Sequence, residues 1–419
     1  MAVTAAEAEV ARPATGITAP LGYLAGAAAA RIKSVDSGQV SGAPDRLDVA
    51  VLYSERPATA AAAVFTTNLV KAAPVVISQL NLKNGSARAL VVNSGNANAC
   101  TGSQGFKDAL VMGKLAADAL DLDPAEVLVA STGVIGRALP MDRLAAGVLN
   151  AAGALDLSNG EAAASAIMTT DTRRKEAVAH FSHGGHSYTI GGMAKGSGMI
   201  HINMATMLGF LTTDAAVPAA ELSQVLTRCV ERSFNLVTVD GDTSTNDMLA
   251  IFANGAAGGG ALLPGAGLEA FEMALQQVCV DLSKQIARDG EGATKMFTVA
   301  VVGAASETDA RTLARTVAGS NLVKTAIHGG DPNWGRIVAA LGRAGAELVL
   351  DKLTVTVGAA IVFHNGAGIP EVDLDQVRRA FESDEVSIRC ELGLGDGAAT
   401  AYGCDLSAEY VHINADYTT

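Results

Sequence analysis

The sequence contains few cysteines, little aromatic side-chain area and no long apolar segment, and each scarcity excludes a class of protein. Its five cysteines lie far apart in 419 residues and form no CxxC pair. This spacing argues against a disulfide framework and against a zinc site, and it is typical of a cytoplasmic protein. No apolar run approaches the roughly 20 residues that cross a bilayer, and the amino terminus does not resemble a signal peptide. We therefore expect a cytoplasmic protein without a membrane partner.

Positive charge is also scarce. Thirty Lys and Arg stand against 43 Asp and Glu, which gives a net charge of −13 without any long basic run. Because nucleic-acid binding needs clustered Lys and Arg, a nucleic-acid partner is not expected. The glycine-rich segments match neither GxxxxGK[ST] nor a strand–GxGxxG–helix unit, so a phosphate-binding loop is unsupported. The hydrophobic content of 49% is typical of a folded globular chain, and the length indicates two or more lobes.

Short apolar runs alternate with helical patterns along the chain, which predicts an α/β or α+β fold. In the first half, residues 89–93 (ALVVN) predict a buried strand and residues 106–120 predict a helix. A second strand over 126–130 is expected to end in a loop at residues 131–133. A further helix is expected to begin near Met141, with Pro140 in its first turn.

Apolar spacing predicts two clearer helices in the second half. One opens at Pro218, and a longer one carries apolar residues at three- and four-residue spacing over 268–286. We expect the longer helix to stop at Gly290 with a left-handed cap. Residues 255–267 are rich in glycine and predict a surface loop. The apolar face of the shorter helix comprises Leu222, Val225, Leu226 and Cys229.

The segment KGSGMIHINMATMLGFLTTD, residues 195–214, has the most specific chemistry. Thr206 could attack the carbonyl of Ala205, pass through an N→O acyl shift and hydrolyse to leave an amino-terminal threonine. Such a residue carries its hydroxyl nucleophile and an amine base together. An Ala-Thr pair before an apolar run is more often an ordinary strand. The glycines at 196 and 198 and the adjacent Lys195 favour self-cleavage.

These residues carry a family resemblance. MAKGSGMIHINMATML resembles the autocleavage segment of the ornithine acetyltransferases, the bifunctional glutamate N-acetyltransferase family of arginine biosynthesis. The resemblance covers essentially the whole chain, and one departure is the absence of a proline that many members have near residues 201–202. The other similar segments, in the family's order, are NSGNANACTG (93–102), STGVIG (131–136), MTTDT (168–172), GDTSTND (241–247), GDPNWGRI (330–337) and NADYTT (414–419).

The resemblance implies a role for each candidate site residue. Thr206 is the nucleophile, the cut lies between Ala205 and Thr206, and Thr132 with Gly133 forms the oxyanion hole. Without the resemblance, Thr132 and Gly133 would be read as a generic Thr-Gly turn. Lys195, a lysine among glycines, would be expected in solvent, and the carboxyl-terminal tail would be expected to be frayed. The implied substrate-binding residues are Thr169, Lys195, Thr206, Glu291, Asn414 and Thr419.

The implied reaction moves an acetyl group from N²-acetyl-L-ornithine to L-glutamate through acetyl-Thr206, without a metal or organic cofactor. Acetyl-CoA is a possible second donor. The implied fold is α/β, a layered sandwich with sheets between helical layers. It is cleaved into an alpha chain, 1–205, which has the oxyanion hole and part of the substrate site. The beta chain, 206–419, has the nucleophile, Glu291 and the tail, and the two assemble as heterotetramers or larger.

Two other functional classes fit the same residues. An aminopeptidase or amidohydrolase with an amino-terminal nucleophile shares the self-cleavage and differs in passing the acyl group to water. An uncleaved binding protein is the non-enzymatic alternative. His180, His183 and His186 suggest a metal site by spacing, but their Ser-His-Gly-Gly-His setting is better explained by a hairpin turn between two strands.

Overall fold

The computed structural model describes residues 15–33, 46–200 and 207–416, which form three β-sheets and the helices that cover them. Within these residues, no helix is both long and apolar enough to cross a membrane. The strands are β1 Tyr23–Ala28, β2 Val49–Ser54, β3 Ala60–Phe65, β4 Ala89–Asn96, β5 Val127–Val134, β6 Lys175–His183, β7 His186–Lys195, β8 Leu208–Thr213, β9 Val237–Thr238, β10 Met248–Ala253, β11 Met296–Ala304, β12 Thr354–Val357, β13 Ala360–His364, β14 Ala367–Gly368, β15 Glu385–Glu391 and β16 Gly397–Cys404.

The α-helices follow or separate these strands, so the mixed α/β prediction is confirmed. They are α1 Ala73–Asn81, α2 Gly102–Leu120, α3 Met141–Gly153, α4 Gly160–Ala166, α5 Ala219–Glu231, α6 Ala266–Arg288, α7 Glu307–Ala318, α8 Asn321–Gly329, α9 Gly335–Gly342, α10 Leu374–Glu382 and α11 Ala408–Asp416.

The three sheets differ in size and in strand order. Sheet A has the order β1-β2-β4-β5, sheet B has β3-β10-β8-β7-β6, and sheet C has β14-β13-β12-β15-β11-β16-β9. Most neighbouring strands are antiparallel, whereas β4 with β5, β8 with β10, β11 with β15 and β9 with β16 are parallel. The carboxyl end of β5 therefore lies beside the carboxyl end of β4, where two of the family-like segments begin.

Sheets A and B pack face to face between layers of helices. Leu52 and Leu128 of sheet A share one core with Phe210 and Phe252 of sheet B. The opposite face of sheet A packs on α1, α2 and α3, and that of sheet B packs on α5 and α6. Because β5 is covered on both faces, its residues form a near-continuous buried run rather than an alternating one.

Sheet B draws strands from both sides of residue 206. The last strand before it, β7, pairs antiparallel with the first strand after it, β8, with Lys195 opposite Leu208. The next strand, β10, pairs on the other side of β8. The segments before and after position 206 are thus joined by main-chain hydrogen bonds along a whole strand.

Most of the predicted elements are confirmed, and the errors are at element ends. The apolar face predicted after Pro218 is buried in α5. However, Ser131, Thr132 and Gly133 are not a loop, because they continue β5 and pair with β4. Pro140 is the N-cap residue of α3, one position before the first turn in which it was predicted.

The predicted cap at Gly290 is wrong. Helix α6 ends at Arg288, and Gly290 is absent from the described residues with positive φ. A Cβ at Gly290 would lie 2.6 Å from the sulfur of Cys404, so this position needs a glycine for space rather than for backbone conformation.

The hairpin interpretation of the three histidines is confirmed. Strands β6 and β7 form an antiparallel pair with His183 opposite His186, and Gly184 and Gly185 supply the turn with φ values of 60° and 82°. Among the described residues, no group of three or more His, Cys, Asp or Glu side chains is arranged to hold a metal ion.

Candidate functional site

A cavity of about 390 Å³ lies where the end of β5, the end of β7, the loop before β10 and helix α11 meet. Six residues that the sequence implicates line this cavity, although they come from positions almost 300 residues apart. They are Thr132, Gly133, Thr169, Lys195, Glu291 and Asn414.

The end of β5 presents Thr132 and Gly133 to the cavity. Thr132 is 5% exposed. Gly133 has a φ of 124°, and a Cβ there would lie 2.2 Å from the carbonyl oxygen of Gly95 on β4. Both the left-handed backbone and the close strand contact therefore require glycine. This end of β5 is also held by Asn246, whose Nδ2 donates to the carbonyl oxygen of Ser131 at 2.8 Å.

Lys195 is the last residue of β7 and is buried rather than solvated. Its Nζ donates to Thr169 Oγ1 at 2.8 Å and to Thr132 Oγ1 at 3.3 Å. Burial lowers the pKa of Lys195, and the charge of Asp171 opposes this change. The lysine thus links one proposed oxyanion donor to a proposed substrate-binding hydroxyl.

Asp171 anchors this wall of the cavity and was not among the predicted site residues. Its carboxylate accepts hydrogen bonds from the Gly196 amide at 2.6 Å, the Thr169 amide at 3.0 Å and the Nζ of Lys175 at 2.7 Å. Burial favours a raised pKa, but Lys195 and Lys175 outweigh it and hold the pKa of Asp171 well below its usual range. The charged form is therefore fixed beneath the cavity.

Glu291 and Asn414 form the opposite wall. Glu291 follows α6 by three residues, as expected, and its Oε2 accepts a hydrogen bond from Asn414 Nδ2 at 2.9 Å. Gly198 leaves room for the carboxylate, since a Cβ there would lie 2.2 Å from Glu291 Oε2. The amide of Glu291 also donates to the carbonyl of Ser197 at 2.8 Å. The glycine-rich segment after β7 is thus packed directly on Glu291.

Three of the predicted residues, Ala205, Thr206 and Thr419, lie outside the described residues. Met207, the next residue after Thr206, is described and its side chain is buried. Its amide donates to Asp247 Oδ1 at 3.0 Å.

The sequence interpretation assigned no role to the loop before β10, although GDTSTND was among the family-like segments. Residues 242–246 and Asp240 line the cavity, and Asp247 lies just behind it. A usable signal was present, because a polar run directly before a fully buried strand often marks a strand end at a site.

Comparison with known proteins shows the family of the chain. Residues 31–419 match the model of the ArgJ family. The "Arginine biosynthesis bifunctional protein ArgJ" of Symbiobacterium thermophilum is 52% identical over 97% of this chain and 99% of its own length. The protein of the same name from Dehalococcoides mccartyi is 50% identical over 97% of this chain and 98% of its own.

Two solved structures are also similar in sequence. The argJ protein of Bacillus halodurans is 41% identical, covers 49% of this chain and 97% of its own, and has a TM-score of 0.47. The ornithine acetyltransferase of Mycobacterium tuberculosis, solved with ornithine, is 41% identical over 46% of this chain and 96% of its own, with a TM-score of 0.40. From the family model and the full-length relatives, the chain belongs to the ArgJ family, whose members are glutamate N-acetyltransferases of arginine biosynthesis.

Proposed function

We propose that this chain transfers the acetyl group of N²-acetyl-L-ornithine to L-glutamate through an acetyl-Thr206 intermediate. The observation that carries the proposal is the meeting of residues from both sides of position 206 in one cavity. Thr132, Gly133, Thr169 and Lys195 come from the first part of the chain, and Glu291 and Asn414 come from the second. The full-length relatives named as bifunctional arginine biosynthesis proteins support the same reaction.

The chain first cleaves itself between Ala205 and Thr206. The products are 1–205 and 206–419, and the pairing of β7 with β8 would keep them together after the cut. Cleavage frees the amine of Thr206, which then serves as the base for its own hydroxyl. The cut therefore creates the catalytic base as well as the new amino terminus.

Acetyl transfer then proceeds in two steps. The Thr206 hydroxyl attacks the acetyl carbonyl of acetylornithine while its amine takes the proton, and this proton passes to the departing amine of ornithine. The amine of glutamate next attacks the acetyl-Thr206 ester, which gives N-acetylglutamate and restores the hydroxyl. Thr132 Oγ1 and the Gly133 N–H stabilise the oxyanion in both steps, and one such donor is worth about 2.7–4 kcal/mol in comparable sites.

The charges on the two walls suit an amino-acid substrate. Lys195 supplies a cation for the α-carboxylate or a neighbouring polar group, and Glu291 supplies an anion for an ammonium group of ornithine. The hydrogen bond from Lys195 Nζ to Thr132 Oγ1 at 3.3 Å supports a cation beside the proposed oxyanion donor. We also propose cytoplasmic residence, assembly as a heterotetramer or larger, and acetyl-CoA as a second donor.

An assay of acyl transfer tests the proposal against hydrolysis. The enzyme is incubated with acetylornithine with and without glutamate, and ornithine and N-acetylglutamate are both quantified. We expect ornithine release to depend on glutamate and to match N-acetylglutamate formation. Equal ornithine release without glutamate would instead favour an amidohydrolase with an amino-terminal nucleophile, because water would then be the acceptor.

A further inference from the structure

Two aspartates, Asp240 and Asp247, contact described residues on either side of positions 201–206, where the proposed cut lies. Each aspartate accepts hydrogen bonds from backbone amides just outside that stretch. Both lie in the loop between β9 and β10, in or beside the family-like segment GDTSTND.

Asp240 contacts the two residues directly before position 201. Its Oδ2 accepts from the Met199 amide at 2.5 Å and its Oδ1 accepts from the Ile200 amide at 2.8 Å. The carbonyl oxygen of Ile200 in turn accepts from the amide of Val239 at 2.8 Å. Met199 has a φ of 56°, which is unfavourable for a residue with a side chain, so this turn needs such external support.

Asp247 accepts a backbone hydrogen bond in the same way from the residue directly after position 206. Its Oδ1 accepts from the Met207 amide at 3.0 Å, and the carbonyl oxygen of Met207 accepts from the amide of Met248 at 3.2 Å. The Asp247 side chain is fully buried, so water does not compete for this hydrogen bond. The residues on each side of positions 201–206 are therefore held by an aspartate side chain and by the backbone amide of a residue next to that aspartate.

The loop that carries both aspartates is itself tied to the cavity wall. The amide of Thr66 donates to the carbonyl of Asp247 at 3.0 Å, and that of Ala72 donates to the carbonyl of Thr245 at 2.9 Å. Asn246 Nδ2 reaches the carbonyl of Ser131, directly before Thr132, at 2.8 Å. The part of the loop that carries Asp247 is thus fixed relative to the proposed oxyanion donors.

We infer that Asp240 and Asp247 are positioning residues that align the Ala205–Thr206 bond for self-cleavage, and that Asp247 goes on to position Thr206 during acetyl transfer. The asymmetry follows from connectivity. The Met207 nitrogen is bonded to the carbonyl carbon of Thr206, and the planar peptide transmits its position to the Thr206 Cα. After the cut, Met199 and Ile200 belong to the other product. This inference rests on the proposed self-cleavage.

The test replaces Asp247 in the full chain by Ala, which removes the acceptor, and by Asn, which keeps an oxygen acceptor at Oδ1. Asp214 provides a matched control, because it follows the same strand, β8, at its opposite end. It is 2% exposed and accepts from the amides of Thr189 at 2.8 Å and Leu21 at 3.2 Å. Asp214→Ala thus removes a comparable backbone clamp away from the cavity.

Intact-mass spectrometry follows the conversion of precursor to products over time, and steady-state kinetics follows the material already processed. Because displacement of a reacting group by about 1 Å costs on the order of 100-fold, we expect Asp247→Ala to slow cleavage and to lower kcat by that order, with KM nearly unchanged. Asp247→Asn should recover most of both rates. Asp240→Ala should slow cleavage to a similar degree.

Asp214→Ala should be processed and should turn over like the wild type, even if its melting temperature falls as far as that of Asp247→Ala. Equal processing and kcat in Asp247→Ala and Asp214→Ala would overturn the inference, and so would an Asp247→Asn variant as impaired as Asp247→Ala. A wild-type chain that stays uncleaved would instead contradict the proposed function itself, so the two failures are distinguishable.

Discussion

The two walls of the cavity differ in burial and in how firmly their side chains are held. On the first wall, Thr132 and Lys195 are 5% and 3% exposed, and the buried carboxylate of Asp171 holds the backbone directly after Lys195 through the Gly196 amide. On the second wall, Asn414 is exposed, and helix α11, which carries it, buries none of its described residues. A rigid buried wall suits groups that stabilise a transition state, and a loosely packed wall suits groups that admit and release substrate.

The largest loss of activity is expected from a substitution on the first wall, at Gly133. Gly133→Ala places a Cβ 2.2 Å from the Gly95 carbonyl and forces a side chain into a φ of 124°. We expect acetyl transfer to fall by at least about 100-fold, because the loss of one oxyanion donor alone has that cost. The measurement is kcat for acetylornithine with saturating glutamate.

Gly136→Ala is the control for Gly133→Ala. Gly136 also has a positive φ, 80°, but a Cβ there would meet nothing within 4 Å. This variant shares the backbone strain without the contact at the end of β5. If both variants lost the same activity, strain in this segment rather than the position of Gly133 would be responsible.

The next largest effect concerns Lys195, with Lys175 as the control. Both lysines are buried, and their Nζ atoms lie 3.9 Å and 2.7 Å from the Asp171 carboxylate. Removing either partner leaves the Asp171 charge poorly compensated, and breaking such a buried pair costs about 3–5 kcal/mol of stability. We expect both Lys195→Met and Lys175→Met to melt at lower temperature. Only Lys195 lines the cavity, so only Lys195→Met should also lose most of its kcat/KM well below its melting temperature. Parallel losses of activity in the two variants would assign Lys195 a purely structural role.

The smallest effect is expected on the second wall, at the half-buried Glu291. Glu291→Gln keeps the acceptor for Asn414 but removes the charge, and a hydrogen bond to a charged group is worth about 1.5–3 kcal/mol. We therefore expect KM for acetylornithine to rise about tenfold or more, with little change in kcat or melting temperature. Glu409→Gln, an exposed charge change on the same helix as Asn414, is the control and should leave KM unchanged. A fall in kcat with constant KM would place Glu291 among the catalytic groups.

The fold elements that sequence predicts best are those whose pattern is local. The three- and four-residue spacing of α6 and the apolar face of α5 are properties of one segment, and both helices are present. The end of β5 was missed because Ser131, Thr132 and Gly133 are polar or small and resemble a turn. Their strand pairing depends on β4, which starts nearly 40 residues earlier.

The candidate site also contains residues that sequence predicts and residues that it does not. The family resemblance assigns roles to six residues that line the cavity, including Glu291 and Asn414. It assigns no role to Asp171 or Asp247, although both lie in family-like segments, and these two side chains act on backbone amides far away in sequence. Backbone amides are the same at every position apart from proline, so a carboxylate that binds them leaves no side-chain pattern to detect.

Intact-mass spectrometry of purified wild type and Thr206→Ala tests the central claim most directly. We predict that the wild type consists of two chains that end and begin at Ala205 and Thr206, and that the second chain gains one acetyl group when acetylornithine is added without glutamate. Thr206→Ala should remain one chain and gain none. A wild type that stays one chain, or an acetyl adduct that persists in Thr206→Ala, would contradict the account.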